Sequence, residues 1–418
     1  MRTTVSIFLL VLTGCATPQQ AQERHNRGGG QPLSRMEQER HNGGQPLSRL
    51  EQESHIGQPL SRREQERKHP HGVPAQLGGG EITCRVVRQE SDRAVFARLT
   101  CHSDAYAVTR DGGTVGGQLN GPTTAFLWTD DRVTTLGPGR LRAVADDGTT
   151  AVGLLDSAPG PANFGAAPGL WRGGQHGTPL ENLVGQGRAI TPDGRYAAGF
   201  AWGYRREIAA LRWDLGALGR GATVELGSIG VAGSGKNVQA VAISNDGQVV
   251  VGTERIPGGF QAFLWTGGAM RRLLGLEDAP QSSAIACNAD CSIIGGLSRG
   301  PSGSHEAVRW LEGRPSLLFS MPNRASSSNV WALDATGNVA AGEVFFIPEH
   351  GRMITRAYLW DAQRGFDFVD DLATQKGLDL GDWKFWSVAA MSADGRVLVG
   401  RGAVGDSQKW NAYRLTLR

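Results

Sequence analysis

Few residues of this chain stand in patterns that do chemistry. The sharpest is GVAGSGKN at 230–237, which reproduces G-x-x-x-x-G-K, a spacing whose backbone amides cradle phosphates. Asn237 occupies the place where magnesium binding needs a hydroxyl. The VQAVAISNDGQVVVG that follows reads as a hairpin, not the required helix. Asp370 and Asp371 offer two carboxylates. Neighbours on a strand point to opposite faces, whereas a glycosidase pair must flank one substrate. His102, His176, His305 and His350 form neither HxH nor HExxH, and no run matches a calcium-binding loop. GPSGSHE at 300–306 reads as a hairpin loop, not a nucleophile elbow. No catalytic residue, cofactor or metal is expected.

Two other sets carry weight. Cys84, Cys101, Cys287 and Cys291 form an even set in the body of the chain. Outside the cytosol such a set makes two disulfides, and proximity favours Cys84–Cys101 and Cys287–Cys291, with two other pairings compatible with the sequence. CNADC lacks the second CxxC or histidine pair of a zinc site. Trp383, Phe385 and Trp386, in GDWKFWS, are the candidate ligand contacts. Exposed indoles beside polar groups stack on sugar rings or anchor a partner protein. FFIPEHG at 345–351 is a second candidate contact loop by the same reasoning.

The elements that must position these residues are written as a repeat. AVTRDGGTVGG precedes AFLW ending at Trp128, and variants of the same unit end at Trp171, Trp213, Trp265, Trp310, Trp360 and Leu415. Each holds an apolar strand, a turn that usually carries Asp-Gly, a strand ending in Gly and a third strand. These positions lie about 42 to 55 residues apart, the period of a β-propeller built from one blade per repeat. Asp-Gly suits a tight hairpin, because glycine accepts positive φ. Runs such as VVVG and VLVG are apolar on successive residues, as in a sheet covered on both faces. The recurring indole is expected to fill the space between adjacent sheets. The expected fold is therefore all-β, a seven-bladed propeller over residues 81–418. The last unit stops at AYRLTLR, one strand short. One of the upstream runs ITCRVV and AVFARLTC is expected to supply the missing strand, with Cys84–Cys101 stapling that junction.

SNDGQVVVG, QAFLWTGGAMRRLLGL and SADGRVLVG resemble the bacterial extracellular HAF-type repeat, in broken form over residues 105–418. The histidine of that pattern is Thr124, Gln261 or Arg356 here, and Cys291 stands where it has glycine. The resemblance implies an exported, propeller-like repeat protein and no particular reaction.

The start of the chain agrees with export. Arg2 precedes VSIFLLVL, a run shorter than the roughly 20 residues that span a bilayer. LTGC, ending at Cys15, resembles the lipobox of bacterial lipoproteins, which implies acylation of Cys15 as the new N-terminus and attachment to a membrane. Two or three acyl chains anchor stably, at roughly 0.8 kcal/mol per buried methylene. Ala16 in place of aspartate favours an outer membrane. Residues 16–80 carry tandem QPLSR copies with scarce apolar residues, read as a disordered tether spanning roughly 40–50 Å. His25, His41, His55, His69 and His71 recur with the copies and set no coordination geometry.

A net charge of +3, from 43 basic and 40 acidic residues, gives no basic face for nucleic acid. The expected function is a lipid-anchored cell-envelope protein presenting the propeller as a non-enzymatic binding platform for an envelope protein or a glycan. The alternative is a carbohydrate-active enzyme or glycan-binding protein with its site in the channel.

Overall fold

The computed structural model describes residues 84–418, apart from 157–165, 204–206, 218–221, 231–236, 280, 301–302, 348–352, 406 and 408. The expected signal peptide with Cys15, the expected tether, His350 and most of the glycine-rich 230–237 stretch lie outside the described residues. Val238–Ile243, directly after that stretch, is a strand, as the sequence requires.

Seven antiparallel sheets make a seven-bladed β-propeller, six of four strands and one of five. The first strands are Ser103–Val108, Arg140–Val144, Gly185–Ile190, Val238–Ile243, Ser282–Cys287, Ala325–Leu333 and Trp383–Met391. Each touches the first strand of the next blade, and the last touches the first, so these seven ring the axis.

Chain ends meet in blade 7. Its order from the axis is Trp383–Met391, Val397–Val404 and Asn411–Leu417, then Ala94–Leu99 and Val86–Ser91 from the N-terminal side. Of the two upstream runs, the second supplies the missing strand, with Ala94 paired to Leu417 and Arg98 to Tyr413. The first adds a fifth. Both disulfides favoured by proximity are formed. Cys84–Cys101 clasps the hairpin of the two N-terminal strands and does not itself cross the junction. That seam is held by the ladder and by the last residue. Arg418 donates its amide to the Arg93 carbonyl at 2.8 Å, and its Nη2 lies 2.6 Å from Glu90 Oε1.

Five of the six repeated indoles fill seams, and Trp360 is half-buried at the edge of its own. Trp128, Trp171, Trp213 and Trp310 are fully buried, and Trp265 nearly so. Each packs against the preceding blade: Trp128 with Val397 and Val399, Trp213 with Val152 and Leu170, Trp310 with Val251 and Leu264. A seventh seam carries Leu415 at that position, a smaller side chain. Trp383, Phe96, Phe385 and Tyr413 occupy the remaining space, with Phe385 and Tyr413 edge-on at 4.7 Å and Phe96 and Trp383 at 5.3 Å.

The glycine that ends each second strand has a shared cause. Every first strand carries a β-bulge, an extra residue between two that pair normally. The bulge brings a first-strand carbonyl against the glycine opposite. A Cβ on Gly117, Gly153, Gly199, Gly252, Gly296, Gly342 or Gly400 would lie under 3.0 Å from the carbonyl oxygen of Asp104, Arg140, Gln186, Gln239, Ser283, Asn329 or Ser387 respectively. No real side chain fits there.

The Asp-Gly turns close one end of the ring. Thr109, Thr191, Ser244 and Ser392 donate their hydroxyls to Asp111, Asp193, Asp246 and Asp394. Turn residues also join blade to blade. Asn245, Ala289, Ala335 and Ala393 donate amides to the carbonyls of Ala289, Ala335, Ala393 and Arg110. Arg110 continues to the Asp146 carboxylate and Asp146 to the Pro192 carbonyl. The circle breaks only between Pro192 and Asn245, because proline has no amide to give.

Candidate functional site: the channel wall

The extra residues of the seven bulges are Tyr106, Arg142, Arg188, Val241, Ile285, Trp331 and Ala389. A bulge re-aims its side chain, and here the side chains meet across blades. The Arg142 guanidinium lies 4.1 Å over the Tyr106 ring, and Arg188 of blade 3 acts electrostatically on both. Burial, reinforced by the charge of Arg142, lowers the Arg188 guanidinium to about 9. Burial lowers Arg142 as well. Arg188 stays cationic at neutral pH. Blades 4 and 5 oppose them with Val241 and Ile285, so the wall is cationic on one side and aliphatic on the other.

Two carboxylates lie nearby. Asp104, 2% exposed, accepts from Asn120 Nδ2 at 2.8 Å and Gln118 Nε2 at 3.2 Å, and Arg401 stands 3.9 Å away. Glu343, 3% exposed, accepts from Trp331 Nε1 at 2.9 Å. Burial pushes its carboxyl above the usual range, and Arg401 pulls against that shift. Buried polar atoms without a hydrogen-bond partner gather here: Asp104 Oδ1, Gln118 Oε1, Glu343 Oε2 and the Nε atoms of Arg140, Arg142 and Arg401. Such an atom costs about 1–3 kcal/mol where no partner or solvent reaches it, so six of the eleven among the described residues falling on this wall favours a place where water or a polar ligand group completes them.

The expected contact residues divide. Trp383 is 2% exposed and Phe385 fully buried, both inside the blade 6–7 seam described above. That corrects their reading as ligand contacts: they lie on a strand, not an insertion, and fill the volume Leu415 leaves. Trp386 is half-buried and is itself the extra residue of a second bulge in blade 7. Its ring lies 6.2 Å from that of Trp410, which His102 meets edge-on at 4.5 Å and Arg401 approaches at 5.7 Å. Trp386 thus neighbours the channel cluster. Of FFIPEHG, Phe345, Phe346 and Ile347 are described, and Ile347 is exposed.

Asp370 and Asp371 fall in the first turn of a helix, Val369–Gln375, where a strand was expected. Asp370 accepts the Phe385 amide at 3.0 Å and pairs with Arg356. Their role is to dock the helix. Among the described residues no cluster of His, Cys, Asp and Glu has metal-holding geometry.

The channel arginines, Asp104 and Glu343 were not singled out from the sequence. The available signal was one column of the repeat, always followed by alanine, that reads Tyr, Arg, Arg, Val, Ile, Trp and Ala through the blades.

No family model matches the chain, and no curated protein does either. The HAF-type resemblance is therefore carried by the repeat residues alone. Many solved structures share the fold. TolB from Acinetobacter baumannii is 12% identical, with 79% of each chain covered and a TM-score of 0.41. An oligogalacturonate lyase from Vibrio parahaemolyticus is 10% identical, covering 80% of this chain and 97% of that one, with a TM-score of 0.45. The β-propeller domain of the Trilobed protease from Pyrococcus furiosus is 10% identical, covering 79% and 82%, with a TM-score of 0.36. At these identities the likeness concerns fold alone.

Proposed function

We propose that this protein is an extracytoplasmic, non-enzymatic binding platform, held to a membrane through lipid on Cys15 and spaced from it by residues 16–80. The ligand site is the channel wall. One observation carries the reading: buried, unpartnered polar atoms concentrate on that wall, while the turns at one end of the first strands bond to one another. Two disulfides support a location outside the cytosol. The partner is an envelope protein or a glycan.

The second reading is a carbohydrate-active enzyme that uses Glu343 and Asp104. Glu343, kept toward its neutral form by burial, has the character of a general acid. Its Oε1 is nevertheless tied to Trp331, and Asp104 to Gln118 and Asn120, so the carboxylates act first as supports. Capture experiments with the full chain from envelope extracts test the two. One reproducible partner without turnover supports the platform. Cleavage of a glycan, abolished by Glu343→Gln, replaces it with the enzyme.

A further inference from the structure

We infer that the channel wall formed by Arg140, Arg142 and Arg188 binds an oxyanion, the phosphate or carboxylate group of the ligand. This deepens the platform reading and rests on it for the site. Three guanidinium groups come from two adjacent blades, and among the described residues no carboxylate lies within ion-pair distance of any of them. Two acids act on them from beyond ion-pair distance, Asp156 on Arg140 and Asp104 on Arg142, and Asp104 is already engaged by Gln118, Asn120 and Arg401. Arg188 donates only to the neutral Gln186, at 3.2 Å, and Arg142 is braced on the Tyr106 ring. The Nε atoms of Arg140 and Arg142 are buried and unpartnered.

Like charges held together on a half-buried wall repel, and the fold gains nothing from assembling them without a counter-charge. An oxyanion resolves this. Its lone pairs match the planar fork of arginine, and one anion can take donors from several guanidinium groups at once. A nearby anion would also return the depressed Arg188 toward its usual basicity.

The test is calorimetric titration of the purified full chain with inorganic phosphate and with glucuronate, at constant ionic strength in a chloride background. Unliganded melting is followed in parallel. The expected result is a dissociation constant of about 1 mM or tighter for at least one probe. Preference for phosphate points to a phosphorylated ligand, and preference for glucuronate to an acidic sugar. Arg188→Gln should weaken that binding at least about tenfold and raise the unliganded melting temperature, since a repelling charge is gone. Arg188→Lys, which keeps charge without the fork, should fall between and controls for folding.

Absence of binding by the wild-type chain, or equal binding by Arg188→Gln, overturns the inference. If the wild-type chain and Arg188→Gln then capture the same envelope component, the platform reading stands without it. If an anion binds and is specific to Arg188 while nothing is captured from extracts, the platform reading falls and the anion site stands.

Discussion

Gly252→Ala isolates the claim that the bulges require glycine opposite them. In blade 4 the added Cβ would crowd the Gln239 carbonyl oxygen, Phe263 Cζ at 2.8 Å and Ala240 Cα at 3.0 Å. Phe263 is fully buried and cannot swing away, and the other two are backbone. Relief needs the first and second strands to part by about 1 Å, an overpacking that costs about 1–3 kcal/mol. Parting them also forfeits about two ladder hydrogen bonds, at roughly 0.5–1.5 kcal/mol each. Alanine returns only about 0.4–1 kcal/mol by restricting the unfolded chain. The net expectation is a loss of about 1–5 kcal/mol. Gly203→Ala is the control, since among the described residues a Cβ there meets nothing closer than the Glu207 carbonyl at 3.8 Å. It should shift stability by no more than about 1 kcal/mol. Urea unfolding followed by near-ultraviolet circular dichroism compares the two. Equal midpoints within error would refute the reasoning.

Trp310→Ala empties the blade 4–5 seam and should cost about 3–5 kcal/mol in the same urea assay, whereas Trp386→Ala, half-buried beside the channel, should cost much less. Replacing Cys84 and Cys101 by serine frees a loop with a sequence separation of 17 and should cost up to about 3 kcal/mol. Limited proteolysis should then cut first within 86–99. Hydroxyl hydrogen bonds from Thr109, Thr191 and Ser244 hold Asp111, Asp193 and Asp246 below the usual carboxylate value of 3.8. Carboxyls with depressed folded values contribute stability that is present above the unfolded value and lost as pH falls through the folded one. Melting temperature should therefore drop below about pH 4, and less steeply in Asp246→Asn.

The ring was legible in the sequence because its repeated residues have repeated causes. Trp128 and its counterparts mark seams, Asp111 and Asp246 mark turns, and ITCRVV and AVFARLTC stood out as the two runs that could supply the strand AYRLTLR lacks. What misled was the residue without a repeat. Trp383 and Phe385 fall outside the pattern, so they read as surface, yet they compensate for the one seam where leucine replaces tryptophan. That compensation depends on three-dimensional volume, which spacing along a strand does not carry. The channel site was hidden for the opposite reason. Arg142 and Arg188 sit in RLRAV and GQGRAI, in a column whose geometry is invariant and whose chemistry is not. Their meeting on the axis follows from bulges that alternation cannot reveal.

The separation of seam from channel makes the two testable apart. Apolar grip between blades is supplied by the third-strand indoles and their neighbours. The bulge column holds aliphatic side chains on blades 4 and 5 and guanidiniums on blades 2 and 3, with the same backbone beneath. Gly153 opposes the Arg140 carbonyl as Gly252 opposes that of Gln239. Gly153→Ala therefore carries the same steric cost but also displaces the strand that aims Arg140 and Arg142. Stability should fall comparably in the two variants, measured by urea unfolding. Anion affinity should fall at least about tenfold only in Gly153→Ala, titrated below its unfolding range. Loss of affinity in both, or in neither, would mean that the bulge of blade 2 does not position the guanidiniums.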